Sequence, residues 1–200
     1  MTVKNEPKRA NRQEARSAST RAKLIRAART LFARRGYAAV GTEEIVQRAG
    51  VTRGALYHQF ATKQDLFLAV YEAVESDLTV RVASGLGAVA SPLEAMRAGS
   101  RLFLQECRTR EVQRIVLLDG PAVLGWERWR EVAARYGLGL IEGVLAAAIE
   151  AGEIAPLPVQ ALAHLLMGAL DEAALLVVQD PESIDGVAAT LERMLEGLRT

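Results

Sequence analysis

Polar and aromatic side chains follow a glycine turn between two short helical stretches in the first third of the chain. Thr52, Arg53 and Gly54 come directly after this turn, and Tyr57 and His58 lie one helical turn later. An arginine at the start of an exposed helix can donate paired hydrogen bonds to guanine O6 and N7. A neighbouring glycine allows the backbone to approach closely. These residue types therefore predict contact with the major groove of duplex DNA.

Two further residues lie at helix N-termini that flank this segment. Thr42 opens the preceding helix and Lys63 opens the following one. Helix N-termini and lysine ammonium groups commonly bind phosphate oxygens. We therefore expect the following DNA contacts: Thr42, Thr52, Arg53, Gly54, Tyr57, His58 and Lys63.

The pattern around these residues predicts a helix-turn-helix inside a three-helix unit. Thr42, Thr52 and Thr62 each precede or open a helical pattern, as N-cap residues do. Gly50 lies between the first two helices, where glycine adopts a positive φ without steric cost. A preceding helix, at about residues 20–35, repeats its apolar residues with a helical period. The expected core of the motif is Ile45, Val46, Ala49, Val51, Leu56 and Phe60.

Residues 20–73 resemble the DNA-binding domain of TetR-family transcriptional regulators. The resemblance rests on these residues: Ala27, Ala28, Leu31, Phe32, Gly36, Tyr37, Thr42, Ile45, Ala49, Gly50, Val51, Gly54, Ala55, Leu56, Tyr57, Phe60, Lys63 and Leu66. The resemblance covers about a quarter of the chain. It implies a homodimer paired through its last helices and an inducer bound among the C-terminal helices.

The basic residues are concentrated at one end of the chain. Residues 1–63 hold 14 Lys and Arg against 4 Asp and Glu, whereas residues 64–200 hold 11 against 20. The formal charges of the two parts are therefore +10 and −9, although the whole chain carries +1. This asymmetry indicates a nucleic-acid contact at the basic end.

The remaining sequence predicts an all-α fold of about nine helices. We expect a flexible basic arm at residues 1–18, a DNA-binding domain at residues 19–65, and a ligand-binding and dimerisation domain at residues 66–200. The arm could touch phosphates or the minor groove, or could remain a solvated tail. With 50% hydrophobic residues, the chain can bury a substantial core.

The last two helices predict a two-fold dimer interface. The eighth, at about residues 159–179, is apolar on nearly every face, which favours packing on both its own domain and a second subunit. The ninth, at about residues 182–199, has one apolar stripe. The expected interface residues are Leu162, Leu166, Leu170, Val177, Val187, Leu191, Met194, Leu195 and Leu198.

Aromatic and sulfur-containing side chains in the C-terminal part could line a small-molecule pocket. They could equally fill the core, but the family resemblance favours the pocket. His164 and Asp171 share one helix face, where they could form a buried hydrogen-bonded cluster, line the pocket or bind a metal, although one His and one carboxylate are few ligands for a metal. The expected ligand contacts are Phe67, Tyr71, Met96, Phe103, Trp126, Trp129, Tyr136, His164, Met167 and Asp171.

Several other functions find no support in the sequence. No catalytic triad, phosphate-binding loop or metal-ligand spacing is present, so we predict no enzyme activity, cofactor or metal. The single cysteine, Cys107, excludes an internal disulfide and is expected to be a buried apolar residue rather than a redox sensor. We predict neither a signal peptide nor a membrane span, and a cytoplasmic location.

The sequence therefore predicts a homodimeric transcriptional regulator that binds a pseudo-palindromic operator in double-stranded DNA. We expect a repressor that a small-molecule inducer of unknown identity releases from this operator. The alternative is a DNA-binding regulator without a small ligand, controlled by a protein partner or by its abundance.

Overall fold

The computed structural model describes residues 6–86 and 89–199, and the side chains from residue 13 onward. In this part of the chain the fold is all-α, with one isolated antiparallel bridge between Ile154 and Arg199. The chain divides into two compact units, Met1–Tyr71 and Glu72–Thr200. We refer to them as the N-terminal and C-terminal units.

Four helices contribute to the N-terminal unit: α1 (Glu6–Arg35), α2 (Thr42–Ala49), α3 (Arg53–Gln59) and the first part of α4 (Lys63–Gly85). Their apolar faces enclose one core. Its fully buried residues include Leu24, Phe32, Val40, Ile45, Leu56, Leu66 and Phe67. Of the expected motif core, Val46, Ala49 and Val51 are only half-buried.

Helix α1 corrects the prediction of a flexible arm over residues 1–18. The helix begins at Glu6, well before the expected start near residue 20, and residues 1–5 lie outside the described part of the chain. Arginine, alanine, glutamate and glutamine dominate the early turns of α1 and all have high helix propensity. The apolar period begins only near Leu24, so periodicity could not reveal these turns.

The C-terminal unit contains the rest of α4 and six further α-helices. Helix α5 is Pro92–Cys107, α6 is Gly120–Leu124, α7 is Trp126–Ala133 and α8 is Gly139–Glu150. Helix α9 is Val159–Gln179 and α10 is Ile184–Glu196, and a short 3₁₀ turn at Pro181–Ser183 separates them.

Two π-helical segments, Val112–Asp119 and Ala134–Leu138, interrupt the regular helices of this unit. The first leads directly into α6. Pro121 lies in the first turn of α6, where its missing N–H breaks no helical hydrogen bond. The second segment widens the helix between α7 and α8. Insertions of this kind often occur at functional sites.

The core of the C-terminal unit contains several residues that were expected at a dimer interface. Leu166, Val177, Leu191 and Leu195 are buried inside the unit. The side chains of Leu162, Leu170, Val187 and Leu198 pack against the same clusters. Of the predicted set, Met194 is the residue that is more than half exposed. The predicted face of α9 and α10 therefore packs on its own unit.

The apolar character of two helices also satisfies the length and hydropathy expected of a membrane span. These are the continuous helix at Trp126–Glu150 and helix α9. In the most apolar 18-residue stretch of each helix, the buried share is 22% for the first and 33% for the second. Both belong to the packed C-terminal unit, and α9 contributes Ala163, Met167 and Ala174 to its buried core. The core helices of soluble proteins often have the same length and hydropathy, so these two properties are weak evidence for membrane insertion.

Candidate nucleic-acid interface and ligand cavity

Local hydrogen bonds fix the start of α3. The Thr52 hydroxyl accepts a hydrogen bond from the Ala55 amide at 3.2 Å, which confirms the predicted N-cap. Gly50 closes α2 with φ of 64°, a left-handed conformation that favours glycine. Leu56 is fully buried on the inner face of α3. Because Leu56 anchors that face, Arg53 and Tyr57 are exposed on the outer face.

The exposed side chains of α2 and α3 form a small polar network. Arg53 Nη1 lies 3.2 Å from Glu43 Oε1, and the Arg53 guanidinium carbon lies 5.7 Å from the centroid of the Tyr57 ring. Hydrogen bonding with Thr42, and then with Arg53, lowers the pKa of Tyr57. The structure therefore brings Thr42, Arg53 and Tyr57 together, as the sequence predicted for a shared contact surface. Glu43 completes the network and was not among the predicted site residues.

The remaining predicted DNA contacts have different surroundings. Gly54 and His58 are exposed, and the ring of His58 lies 3.5 Å from the Gln59 amide nitrogen. Lys63 is half-buried, and its Nζ donates to the Tyr37 carbonyl at 2.6 Å. Its ammonium group also lies 4.0 Å from the centroid of the Tyr37 ring. Lys63 therefore has internal partners, although its place at the start of α4 still leaves a phosphate contact as a prediction.

The C-terminal unit contains a cavity of about 110 Å³. Helices α4, α5, α7, α8 and α9 and both π-helical segments contribute to its wall. The wall is mainly apolar and includes five of the predicted ligand contacts: Met96, Phe103, Trp129, Met167 and Asp171. The Trp129 indole N–H donates to the Val116 carbonyl at 3.0 Å, which fixes the ring in the wall. This combination of apolar walls and few polar groups is typical of small-molecule sites.

One side of the cavity carries the carboxylate of Asp171. Its side chain is 14% exposed, and its Oδ2 lies 3.6 Å from Arg130 Nη1. That oxygen is buried and accepts no hydrogen bond from the described residues. Burial raises the pKa of Asp171 to about 6, and the nearby Arg130 guanidinium partly opposes this shift. Glu75 on α4 also lines the cavity and is buried.

The chain matches two family models that together cover most of its length. Residues 24–70 match the model described as bacterial regulatory proteins of the tetR family. Residues 93–198, more than half of the chain, match the model described as the tetracyclin repressor-like C-terminal domain. The chain belongs to the TetR family.

Individual proteins resemble this chain over most of its length. A crystal structure of a TetR-family transcriptional regulator from Pectobacterium atrosepticum is 32% identical, with a TM-score of 0.83 over 93% of this chain and 97% of that one. The transposon Tn10 TetC protein of Escherichia coli is 26% identical over 79% of this chain and 80% of its own length. The structure of RolR with the ligand resorcinol shares the fold, with a TM-score of 0.75 at 23% identity, over 90% of this chain and 89% of that one.

In this TetR-family chain, the other five predicted ligand contacts lie away from the cavity wall. Phe67 packs in the N-terminal unit against Phe32 and Tyr37, at ring-centroid distances of 5.5 and 5.1 Å. Tyr71 is buried in the same unit. Both residues precede Glu75, which is the first residue of α4 in the cavity wall, so neither reaches the cavity.

The remaining three, Trp126, Tyr136 and His164, also lie away from the cavity wall. Trp126 is 59% exposed and packs on Trp129, with ring centroids 4.9 Å apart. Tyr136 lies in the second π-helical segment, which shifts the helical register. His164 is exposed on α9. It lies two helical turns from Asp171, but only Asp171 reaches the cavity, so a cluster formed by these two residues is not observed.

Cys107 is a buried residue, as the sequence predicted. It is fully buried on α5, and burial, followed by the nearby carboxylates Glu75, Asp171 and Glu106, raises the pKa of its thiol well above the usual range. A thiol with so little thiolate character reacts slowly with oxidants. Among the described residues, there is no group of three or more His, Cys, Asp or Glu side chains that could hold a metal ion.

Proposed function

We propose that this TetR-family regulator is a cytoplasmic homodimeric repressor, which a small molecule releases from a pseudo-palindromic DNA operator. The proposal is carried by the network of half-buried Thr42 with exposed Arg53 and Tyr57, on a helix-turn-helix whose second helix is capped by Thr52. Recognition helices of this motif place their N-terminal residues against base edges in the major groove.

The DNA contacts divide into two kinds by position and chemistry. Arg53 at the start of α3 is the candidate for base recognition, with Gly54 allowing close approach. Thr42, Thr52, Tyr57, His58 and Lys63 are candidates for contacts with phosphates or thymine methyl groups. The basic end of the chain, with a formal charge of +10 over residues 1–63, supports the required phosphate attraction.

Helix α4 is the element that would connect ligand and DNA. It begins in the N-terminal unit and continues into the C-terminal unit, where Glu75, Leu78, Thr79 and Val82 line the cavity. A ligand that binds more tightly to one position of α4 than to another shifts the population of the two states. The shift in operator affinity can then be no larger than this differential affinity.

The homodimer would form through an exposed apolar surface on α9 and α10. On α9, Leu165 is 72% exposed and Leu176 is 45% exposed, and on α10 Met194 is 52% exposed. Leu165 and Leu176 are eleven residues apart, so they lie on one helix face. An exposed apolar surface of this kind favours association between subunits. Of these three residues, Met194 was in the set that the sequence suggested, and Leu165 and Leu176 were not.

Selection of bound fragments from random DNA, followed by affinity measurements on the selected operator, tests the DNA-binding part. Arg53→Ala should weaken operator binding at least about tenfold, because it removes a bidentate base contact from each half-site. Binding to unrelated DNA should change much less. Arg128→Ala is the matched control, since Arg128 is an exposed arginine on α7 that pairs with Glu131. Equal operator affinity in both variants would refute the assignment of α3 as the recognition helix.

A further inference from the structure

The charge of the cavity wall restricts the ligand. Among the described residues that line the cavity, the charged ones are Glu75 and Asp171, and both are acidic. Arg130 lies beside Asp171, with its Nη1 at 3.6 Å from Asp171 Oδ2. A carboxylate ligand would place another negative charge beside these groups, which is unfavourable in a site of low dielectric constant.

The hydrogen-bonding capacity of Asp171 is largely unused. The distance of 3.6 Å to Arg130 Nη1 is too long for a hydrogen bond, and Oδ2 is buried without a hydrogen-bond partner among the described residues. Buried polar atoms almost always have such partners, so a missing partner calls for an explanation. The terminal torsion of aspartate is broad and nearly two-fold, so either oxygen can turn toward the cavity.

The size of the cavity restricts the ligand further. Its volume of about 110 Å³ is comparable with that of an apolar cavity of roughly 150 Å³ that accepts benzene. Most of the other wall residues are apolar, among them Met96, Phe103 and Trp129. Flat aromatic walls favour contact with a ring.

We infer that this cavity selects a single-ring molecule whose substituent donates an N–H or O–H hydrogen bond to the Asp171 carboxylate. The ring occupies the space beside Phe103 and Trp129, and the donor satisfies the carboxylate. The inference rests on the proposed function in one respect only, which is that this cavity is the inducer site. Binding itself is a separate property of the C-terminal unit.

Four compounds of nearly equal size separate the chemical possibilities: toluene, benzyl alcohol, benzylammonium and benzoate. Their binding to the full chain is measured by calorimetry without DNA. The alcohol and the ammonium should each bind roughly tenfold to a hundredfold more tightly than toluene, because each adds one hydrogen bond to a carboxylate. Benzoate should bind more weakly than toluene. The ratio between alcohol and ammonium distinguishes a neutral donor from a cationic one.

The Asp171→Asn variant then tests whether the preference for hydrogen-bond donors depends on this residue. The advantage of benzylammonium over toluene should fall at least tenfold, and the penalty on benzoate should shrink. Glu150→Gln is the control, since it removes an exposed carboxylate from α8 outside the cavity wall. Circular dichroism establishes that both variants remain helical.

The wild-type ranking decides the inference even if Asp171→Asn does not fold. Toluene or benzoate binding as tightly as the two donors would overturn it, and so would an unchanged ranking in a folded Asp171→Asn variant. Release of DNA is measured afterwards on the selected operator. A donor that binds with the expected ranking but leaves operator affinity unchanged would contradict ligand-controlled release and leave the ligand chemistry intact.

Discussion

Each candidate site contains a charged side chain that lies beside an oppositely charged one. Arg53 is paired with Glu43 on the exposed surface, whereas Asp171 is buried beside Arg130 at a distance too long for a hydrogen bond. The exposed pair is screened by water and salt, so it contributes little to stability. The buried carboxylate interacts more strongly with its surroundings, since water does not screen it.

Glu43 should adjust both the affinity and the selectivity of DNA binding. Glu43→Gln removes a negative charge near the expected phosphates and releases Arg53 from its partner at 3.2 Å. We expect tighter binding to unrelated DNA and a smaller ratio between operator and unrelated DNA, because Arg53 is then free to contact any phosphate. Competition binding at two salt concentrations measures this ratio. A ratio equal to that of the wild type would show that Glu43 does not position Arg53.

Asp171 should make the free energy of unfolding depend on pH. Its pKa rises from 3.8, the usual value for an aspartate carboxyl in water, to about 6 in the folded protein, so the folded state binds more protons between these values. The stabilising contribution is therefore complete below about pH 4 and is lost as the pH rises through about 6. With about 1.4 kcal/mol per pKa unit, the loss is at most about 3 kcal/mol.

The difference in urea unfolding between the wild type and Asp171→Asn isolates this contribution. Arg130, Glu75 and Cys107 are the ionisable groups around Asp171 on the neighbouring helices, and they are common to both proteins. The wild type should lose stability relative to the variant as the pH is raised from about 4 to 7. A constant difference across this range would contradict the raised pKa. Glu150→Gln serves as the exposed-carboxylate control.

At the scale of elements, the sequence predicted those helices whose ends are specified locally. The Thr52 hydroxyl, the left-handed Gly50, and the reciprocal hydrogen bonds between Thr62 and Asp65 all act within a few residues. Sequence patterns reveal such signals directly. They gave α2, α3 and the start of α4, although Gly41 rather than Thr42 is the N-cap of α2.

The elements that the sequence missed depend on contacts from distant parts of the chain. Helix α9 is apolar on nearly every face, so its pattern could not distinguish buried Leu166 from exposed Leu165. Tyr136 lies within the π-helical segment at Ala134–Leu138, where the helical register departs from that of a regular α-helix, and it does not line the cavity. Five of the ten expected ligand contacts line the cavity, and the other five miss it because of their positions in the fold rather than their residue types.

Helix α3 should tolerate a methyl group at Gly54 in the free protein. A Cβ at this position would meet no atom within 4 Å, and the residue is exposed. Gly54→Ala should therefore raise the free energy of unfolding by about 0.5–1 kcal/mol, because alanine has the higher helix propensity. Operator affinity should nevertheless fall, since the methyl group would stand between α3 and the groove.

Thermal unfolding and operator binding of Gly54→Ala test these opposite effects. Gly143→Ala on α8 is a matched control, as its Cβ also meets no atom within 4 Å and it lies outside the N-terminal unit. It should stabilise its helix without changing operator affinity. Unchanged or tighter operator binding by Gly54→Ala would contradict close approach of this residue to DNA.

At the scale of the whole molecule, one recognition helix contacts few base pairs. Two copies related by a two-fold axis would read two half-sites about one helical turn apart, so selective binding depends on dimerisation. The exposed surface on α9 and α10 contains Leu165, Leu176 and Met194. The apolar residues on the opposite faces of these helices hold the C-terminal unit together.

A charged residue introduced on the exposed face of α9 and α10 should therefore have a different effect from one introduced on their buried face. Leu165→Asp combined with Met194→Asp should yield folded monomers, because both side chains are more than half exposed in the single chain. Leu191→Asp should instead destabilise the fold by several kcal/mol, since it places an unpaired charge in a buried cluster. Sedimentation velocity and circular dichroism distinguish folded monomers from unfolded chains.

The folded monomer should bind the full operator far more weakly than the wild type, while its affinity for a single half-site should stay close to that of one wild-type subunit. Persistent dimers in the double variant would place the interface elsewhere.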